Sequence, residues 1–540
     1  MTADRVMILG LDGATWTVLD PMRARGHLPN LDALLARSAH GTLRSTVPPV
    51  TTAAWTTMMT GCDPSRHGVF DHRYYDARSG QMKVNHSGRS RVPTLWRTLS
   101  DVGRSVAVLN LPGNYPPPPV RGVAVSGMDA PHLDAALSGN PEFAARMKAE
   151  VPDYSLRYPW KRAPLSLDEL RENGRITVEG FLGRAKGGLL ADRFVPDWSA
   201  LMVQFQNLDP FQHRAWRYLN VDETGIDDPE WNKAAADVVR GLDSAIGLLL
   251  ELADQRDATV LVCSDHGFGP CLGRVHANRI LLDAGVAKMP GRSGRALGGI
   301  GKVVERVKLW NEKRGDRSAR TASFDQSVAA QFPFDWKRTL AFAPHQDTAA
   351  MVYLNTTARN PGAPLATARQ IDDALAAAKG ALADAKHPET GDFLFPKIVS
   401  TASEFGIDPT AEGYPDLIAL PDDPYWVRTK LGPGRAWVET DANLPGTHRP
   451  EGVVALCGRG IAPGRSLAAN LRDVTPTILA LLGEAVPEHV EGTPLPCIAA
   501  TTRRDSPSAP IPAPHAEHFE YTPEEQAIIE QRLADLGYLE

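Results

Sequence analysis

Short apolar runs that end in polar residues or glycine recur along this chain, separated by stretches in which apolar residues return at helical spacing. That alternation predicts a mostly parallel sheet covered by helices on both faces, a doubly wound α/β fold. The runs predict strands over 6–11, 105–111, 200–205, 259–263, 416–420 and 453–457. Between them, helices are expected over 31–37, over 94–101 behind a Thr94 cap, and over the long amphipathic stretch 233–252. Two more are expected over the alanine-rich 366–386 and over 473–482, the latter opened by an Asp473 cap.

Two regions break this rhythm. Residues 287–335 contain Gly-Arg-Ser-Gly-Arg, Gly-Gly-Ile-Gly-Lys and a basic helical stretch, and predict a basic insertion or cap. Residues 501–517 are rich in Pro, Ser and Ala and read as a linker. Beyond it, within 518–540, Thr522-Pro-Glu-Glu opens a C-terminal helix whose Ile528, Ile529, Leu533 and Leu536 can pack on the core or on a partner. The expected organisation is a catalytic core of residues 1–286 and 336–500, carrying the cap and followed by linker and helical tail.

Composition narrows the classes of partner. The 64 acidic and 58 basic residues leave a net charge of −6, which provides no overall field for nucleic acid or acidic membranes, and no nucleic-acid-binding domain pattern is seen. A small phosphorylated substrate would have to be attracted locally. Five cysteines, an odd number without CxxC pairs, suggest neither a disulfide framework nor a thiolate zinc site. The N-terminal apolar run is too short for a signal sequence and no stretch is long enough for a transmembrane segment, so a soluble cytoplasmic protein is expected.

Five segments carry candidate chemistry. Asp12 ends the first predicted strand, where open α/β sheets place ligand-binding groups, although Asp-Gly is also an ordinary turn signal. Thr51 follows Pro48-Pro49-Val50 and can begin a helix that closes at Thr60-Gly61. Its hydroxyl is then either a metal-activated nucleophile at the helix N-terminus or a simple cap. Asp209 and His213, four apart, share a face if their segment is helical. Asp265-His266 stands directly beyond a hydrophobic strand, where two strong metal-ligand types have few structural uses. His448 lies in a Gly-Thr-His-Arg-Pro loop before the last predicted strand.

Together with the Thr60-Gly61-x-x-Pro64-x-x-His67-Gly68 run, these segments and their order resemble the type I phosphodiesterase and nucleotide pyrophosphatase branch of the alkaline phosphatase superfamily. The resemblance spans about residues 5–286 and 340–495. It implies an alkaline phosphatase-like fold and two divalent metal ions, Zn2+ foremost with Mn2+ as the other choice. One ion would be held by Asp12, Thr51, Asp265 and His266, the other by Asp209, His213 and His448, with Thr51 as nucleophile and a phosphothreonine intermediate. The activity implied is metal-dependent hydrolysis of phosphate esters, foremost phosphodiesters or pyrophosphates. A phosphonate or phosphomonoester hydrolase or a phosphoryl transferase on the same site, and a non-catalytic phosphate-binding scaffold, are the alternatives. Resembling enzymes carry Asn three residues after the nucleophile, whereas this chain has Ala54. Trp55 and Arg449 are candidate substrate contacts, Trp55 against an apolar ester group and Arg449 as a supply of positive charge.

Overall fold

The computed structural model describes residues 3–156, 158–161, 165–220, 225, 227–290, 328, 332–345, 348–406, 414–421, 425–431, 437–440, 445–498 and 519–538. They form two compact units. The first comprises Met1–His72, Val84–Gly273 and Thr440–Glu540, the second Arg73–Lys83 and Arg274–Glu439. The segment from 336 to 439, expected with the catalytic core, thus falls in the second unit, and the expected cap and linker lie almost wholly outside the described residues.

The first unit is built on an eight-stranded sheet. In chain order its strands are β1 (Val6–Leu11), β2 (Ala39–Arg44), β3 (Ser105–Leu111), β4 (Gly122–Ser126), β5 (Trp198–Phe205) and β6 (Thr259–Cys263). After the two-stranded ribbon β7 (Gly267–Pro270) and β8 (Gly446–Arg449) come β9 (Glu451–Cys457) and β10 (Ser466–Asn470). The order across the sheet is β10-β2-β9-β6-β1-β5-β3-β4. β1 pairs in parallel with both β5 and β6, while β9 runs antiparallel to β2 and β6. The central strands are apolar without alternation because both their faces are covered, the signature of a parallel interior sheet.

Five helices bear on the site. α1 (Thr51–Thr60) begins at the residue expected and is closed by Gly61 in the left-handed region, φ 67°. α2 (Leu167–Phe194) has no counterpart among the expected helices, because five glycines interrupt its apolar pattern. Those glycines are buried contact points: a Cβ on Gly188 would lie 2.8 Å from Val203, and one on Gly180 1.9 Å from Asn207. α3 (Leu208–Leu219) and α4 (Pro229–Gln255) follow, and α5 (Pro523–Leu536) is the expected C-terminal helix, with a Thr522–Glu525 capping box. Ile529, Leu533 and Leu536 are buried, whereas Ile528 is exposed.

The expected helix at 94–101 forms behind its Thr94 cap. The one over 473–482 also forms, but Asp473 caps it without a side-chain hydrogen bond, its oxygens being bonded instead to the backbone of Asn470 and Thr493.

In the second unit, Ala341–Phe342, Ala350–Leu354, Leu417–Leu420 and Lys397–Ser400 form an antiparallel four-stranded sheet. The strand expected over 416–420 therefore exists but belongs to this sheet and not to the central one. No helix of the described residues is long and apolar enough to cross a membrane.

Candidate metal centre

Parallel pairing in register brings the carboxyl ends of β5, β1 and β6 to one edge, with Leu11 opposite Phe205 and Gly10 opposite Cys263. Asp12 is the first residue past β1, and its N–H donates to the Phe205 carbonyl at 3.2 Å. Asp265 and His266 follow β6 after Ser264, and Asp209 stands in the first turn of α3 with His213 one turn later. His448 lies in β8, opposite Phe268 of β7. All six side chains are buried.

They fall into two groups, Asp12 with Asp265 and His266, and Asp209 with His213 and His448, each with ligand atoms within 4.8 Å of one another. In the first group His266 Nε2 is 3.3 Å from Asp265 Oδ2 and 3.7 Å from Asp12 Oδ1. In the second, His448 Nε2 is 3.1 Å from Asp209 Oδ1, and His213 Nε2 is 3.4 Å from Asp209 Oδ2. His266 bridges the two, 4.0 Å from Asp209 Oδ1, with its ring stacked on that of His448 at 3.8 Å.

The backbone sets the orientation of all three imidazoles. Nδ1 of His213, His266 and His448 faces the carbonyl oxygens of Gly446, Gly267 and Pro49 at 2.8, 3.0 and 3.0 Å. A carbonyl only accepts, so each Nδ1 carries the proton and each neutral ring turns the Nε2 lone pair inward. His213 and His448 consequently aim two lone pairs at each other across 3.1 Å. Asp12 Oδ1, Asp209 Oδ1 and Asp265 Oδ2 are buried without a hydrogen-bond partner.

Burial, then Asp265 and Asp209 nearby, pushes the Asp12 carboxyl well above the ordinary carboxylate range. Burial likewise raises Asp265 to about 8. For Asp209 burial acts upward too, and only positive charge on the surrounding His213, His448 and His266 would hold it low. Burial lowers His213 to about 4 and keeps His266 neutral. Three converging imine lone pairs beside three unpartnered carboxylate oxygens form a donor set that fits divalent cations and is costly without them.

The remaining expected residues take different places. Thr51 is the first residue of α1, capped by Val50 rather than acting as a cap itself, and its Oγ1 lies 3.3 Å from His266 Nε2. Thr52, its neighbour, is turned to His72 Nδ1 at 2.7 Å. Trp55, expected as a substrate contact, lies in the core. Its ring is buried in the core against Gly10, where a Cβ would come within 2.8 Å, and its Nε1 donates to Asp12 Oδ2 at 3.0 Å. Arg449 is also not aimed at the centre: its Nη1 and Nη2 donate to the carbonyls of His448 and Pro270.

Two residues in contact with these groups escape the sequence reading. Gln204 Nε2 donates to Asp12 Oδ2 at 2.7 Å, and a lone amide in an otherwise apolar buried strand was a signal for it. Tyr538, past the end of α5, donates its hydroxyl hydrogen to Asp209 Oδ2, with no local sequence signal at all.

A family model described as type I phosphodiesterase / nucleotide pyrophosphatase matches residues 6–450. No curated protein matches the chain significantly. Among solved structures, phosphonoacetate hydrolase from Sinorhizobium meliloti 1021 in complex with phosphonoformate is similar over 87% of this chain and 94% of its own, with 14% identity and a TM-score of 0.52. Murine ectonucleotide pyrophosphatase / phosphodiesterase 5 is similar over 93% and 97%, with 12% identity and a TM-score of 0.47. At such identities the likeness to the hydrolase is one of fold.

Proposed function

The chain belongs to the type I phosphodiesterase and nucleotide pyrophosphatase family of the alkaline phosphatase superfamily, and from that premise we propose that it cleaves phosphodiesters or pyrophosphates through a phosphothreonine on Thr51. Asp12, Asp265 and His266, with Thr51, would hold one divalent cation, and Asp209, His213 and His448 the other. Mixed carboxylate and imidazole donors favour zinc, with manganese as the alternative. Bound there, the ions would lower the pKa of the Thr51 hydroxyl and offset charge on the leaving oxygen.

The protein's own groups do the rest. The first-turn N–H groups of α1 have no carbonyl one turn back, so they receive the phosphoryl oxygens beside Thr51. Trp55 and Gln204 fix the Asp12 carboxylate, and the carbonyls of Gly267, Pro49 and Gly446 fix the imidazoles. Thr51 Oγ1 gives up its proton to solvent and attacks phosphorus in line with the ester oxygen, whose bond to phosphorus breaks as that oxygen takes a proton from solvent. Water then attacks phosphorus from the vacated side and releases Thr51, and two inversions give net retention. A diester carries less charge than a monoester dianion, and Arg449, bonded to carbonyls, is not directed at that second charge.

The observation that carries this reading is the convergence of three Nε2 lone pairs and three unpartnered carboxylate oxygens around a threonine at a helix N-terminus. The test is hydrolysis of bis-(nitrophenyl) phosphate by purified protein before chelation, after it, and after zinc return, with recovery of a peptide carrying a nitrophenyl phosphate ester on Thr51. Inactivity of the zinc-loaded protein on diesters, monoesters and phosphonates alike would favour the phosphate-binding scaffold instead.

A further inference from the structure

The C-terminal helix is anchored at the metal centre by contacts a loosely attached tail would not make. Arg532 donates to the carbonyls of Met128, Ala130 and Pro131, and Arg214 donates to those of Asp535 and Leu536 at its far end. Ile529, Leu533 and Leu536 are buried in one apolar cluster with Val84, Met128 and Trp160. Gly537 then closes α5 in the left-handed region, φ 103°, and the N–H of Tyr538 returns to the Leu533 carbonyl at 2.8 Å. The direction in which Tyr538 leaves the helix is thereby fixed.

Its side chain fills a defined place. The ring stacks on His72 at 4.6 Å and meets His213 and His448 edgewise at 5.7 and 6.1 Å. Packing alone would be satisfied by phenylalanine. The hydroxyl, however, is aimed inward, bonded to Asp209 and close to the Thr51 side chain. A point reached by both the proposed nucleophile and a carboxylate of the other group lies where a phosphoryl oxygen must come during transfer.

We infer that Tyr538 is a substrate-binding residue: its phenol, delivered by α5, donates a hydrogen bond to a nonbridging oxygen of the phosphoryl group. This rests on the function proposed above. When Asp209 engages a cation its oxygens are no longer the phenol's best acceptors, and the phosphoryl group brings the acceptor that replaces them. A fixed donor at that oxygen strengthens as charge builds there in the transition state.

The test uses the full-length, zinc-loaded protein and the Tyr538→Phe variant, which keeps the ring on His72 and removes only the hydroxyl. Vanadate affinity by calorimetry, zinc content, melting temperature, and kcat and KM for bis-(nitrophenyl) phosphate are read on both. The inference expects vanadate affinity to fall at least tenfold and kcat/KM ten- to a hundredfold, the range of a hydrogen bond to a charged group. Zinc content and melting temperature should be unchanged. Vanadate affinity and kcat/KM within twofold of the parent overturn it, as does a loss of zinc, which would make the hydroxyl a support for Asp209. A rise in activity and vanadate affinity would also overturn it, identifying the tail as a plug. Parent protein that neither hydrolyses esters nor binds vanadate would sink the function itself, a result distinct from any difference between the two proteins.

Discussion

Replacing Trp55 with phenylalanine separates two roles that the sequence leaves open for this side chain. The indole N–H is one of two donors to Asp12 Oδ2, at 3.0 Å, the other being Gln204 Nε2 at 2.7 Å. Both are buried, so water cannot take the place of the lost donor. A buried hydrogen bond to a charged acceptor contributes about 1.5–3 kcal/mol. Loss of that support from a ligating carboxylate corresponds to about a 10- to 100-fold drop in metal affinity, the usual range for groups behind a ligand. The phenyl ring still packs near Gly10 but leaves a small void, which adds roughly 1 kcal/mol of lost stability. Zinc affinity, by competition with a chelating dye, should therefore weaken at one of two sites. With saturating zinc, KM should change little and equally for aryl and alkyl diesters. If instead KM rose selectively for aryl esters while zinc affinity stayed within twofold, Trp55 would be a substrate contact and the reasoning wrong.

Thr51→Ala should abolish turnover, to below about a thousandth of the parent rate, yet retain zinc, whereas Thr52→Ala, whose hydroxyl faces His72, should keep at least half the activity; rates and elemental analysis of both decide it. Protein purified without chelator should contain about two zinc or manganese equivalents per chain, and full activity with one or none would defeat the paired-ion mechanism. Nitrophenyl phosphate should be a poorer substrate than bis-(nitrophenyl) phosphate by kcat/KM, and a tenfold preference for the monoester would reverse that assignment. Asp129, buried away from the metal ligands, has its carboxyl raised by burial from 3.8 to about 6. A raised carboxyl stabilises the fold below its unfolded value and loses this as pH rises through the folded one, by about 3 kcal/mol in all. Asp129→Asn should therefore flatten the decline in melting temperature between pH 4 and 7, and parallel profiles for parent and variant would count against it.

Some of this was legible in the letters and some could not be. The strands over 6–11, 105–111 and 259–263 were readable to the residue because burial on both faces leaves uninterrupted apolar runs between polar ends. The same logic found Leu417–Leu420 but not its sheet, since an apolar run reports burial and not the identity of its neighbours. β2, with its half-buried His40, Gly41 and Thr42, carried no such run. Asp12, Asp265 and His266 were readable as candidates because such groups at a strand end are costly to bury without a function, whereas Asp209, His213 and His448 stood out through the family resemblance. What holds those imidazoles in place was not readable, because a backbone carbonyl has no letter of its own. Tyr538 is separated from Asp209 by 329 residues, and only the folded chain brings a tail residue to that carboxylate.

The glycines of α2 have a consequence for the order in which the molecule assembles. Five of them in one helix cost about 1 kcal/mol each relative to alanine, so α2 on its own would be largely uncoiled. What stabilises it is the close approach those missing side chains permit, to Val203 on β5 and to Leu249 on α4. Its amides can therefore become protected from hydrogen exchange only once β5 and α4 are in place. Because β5 leads directly into the loop and helix that carry Asp209 and His213, this couples maturation of half the metal centre to a helix that contributes no ligand to it.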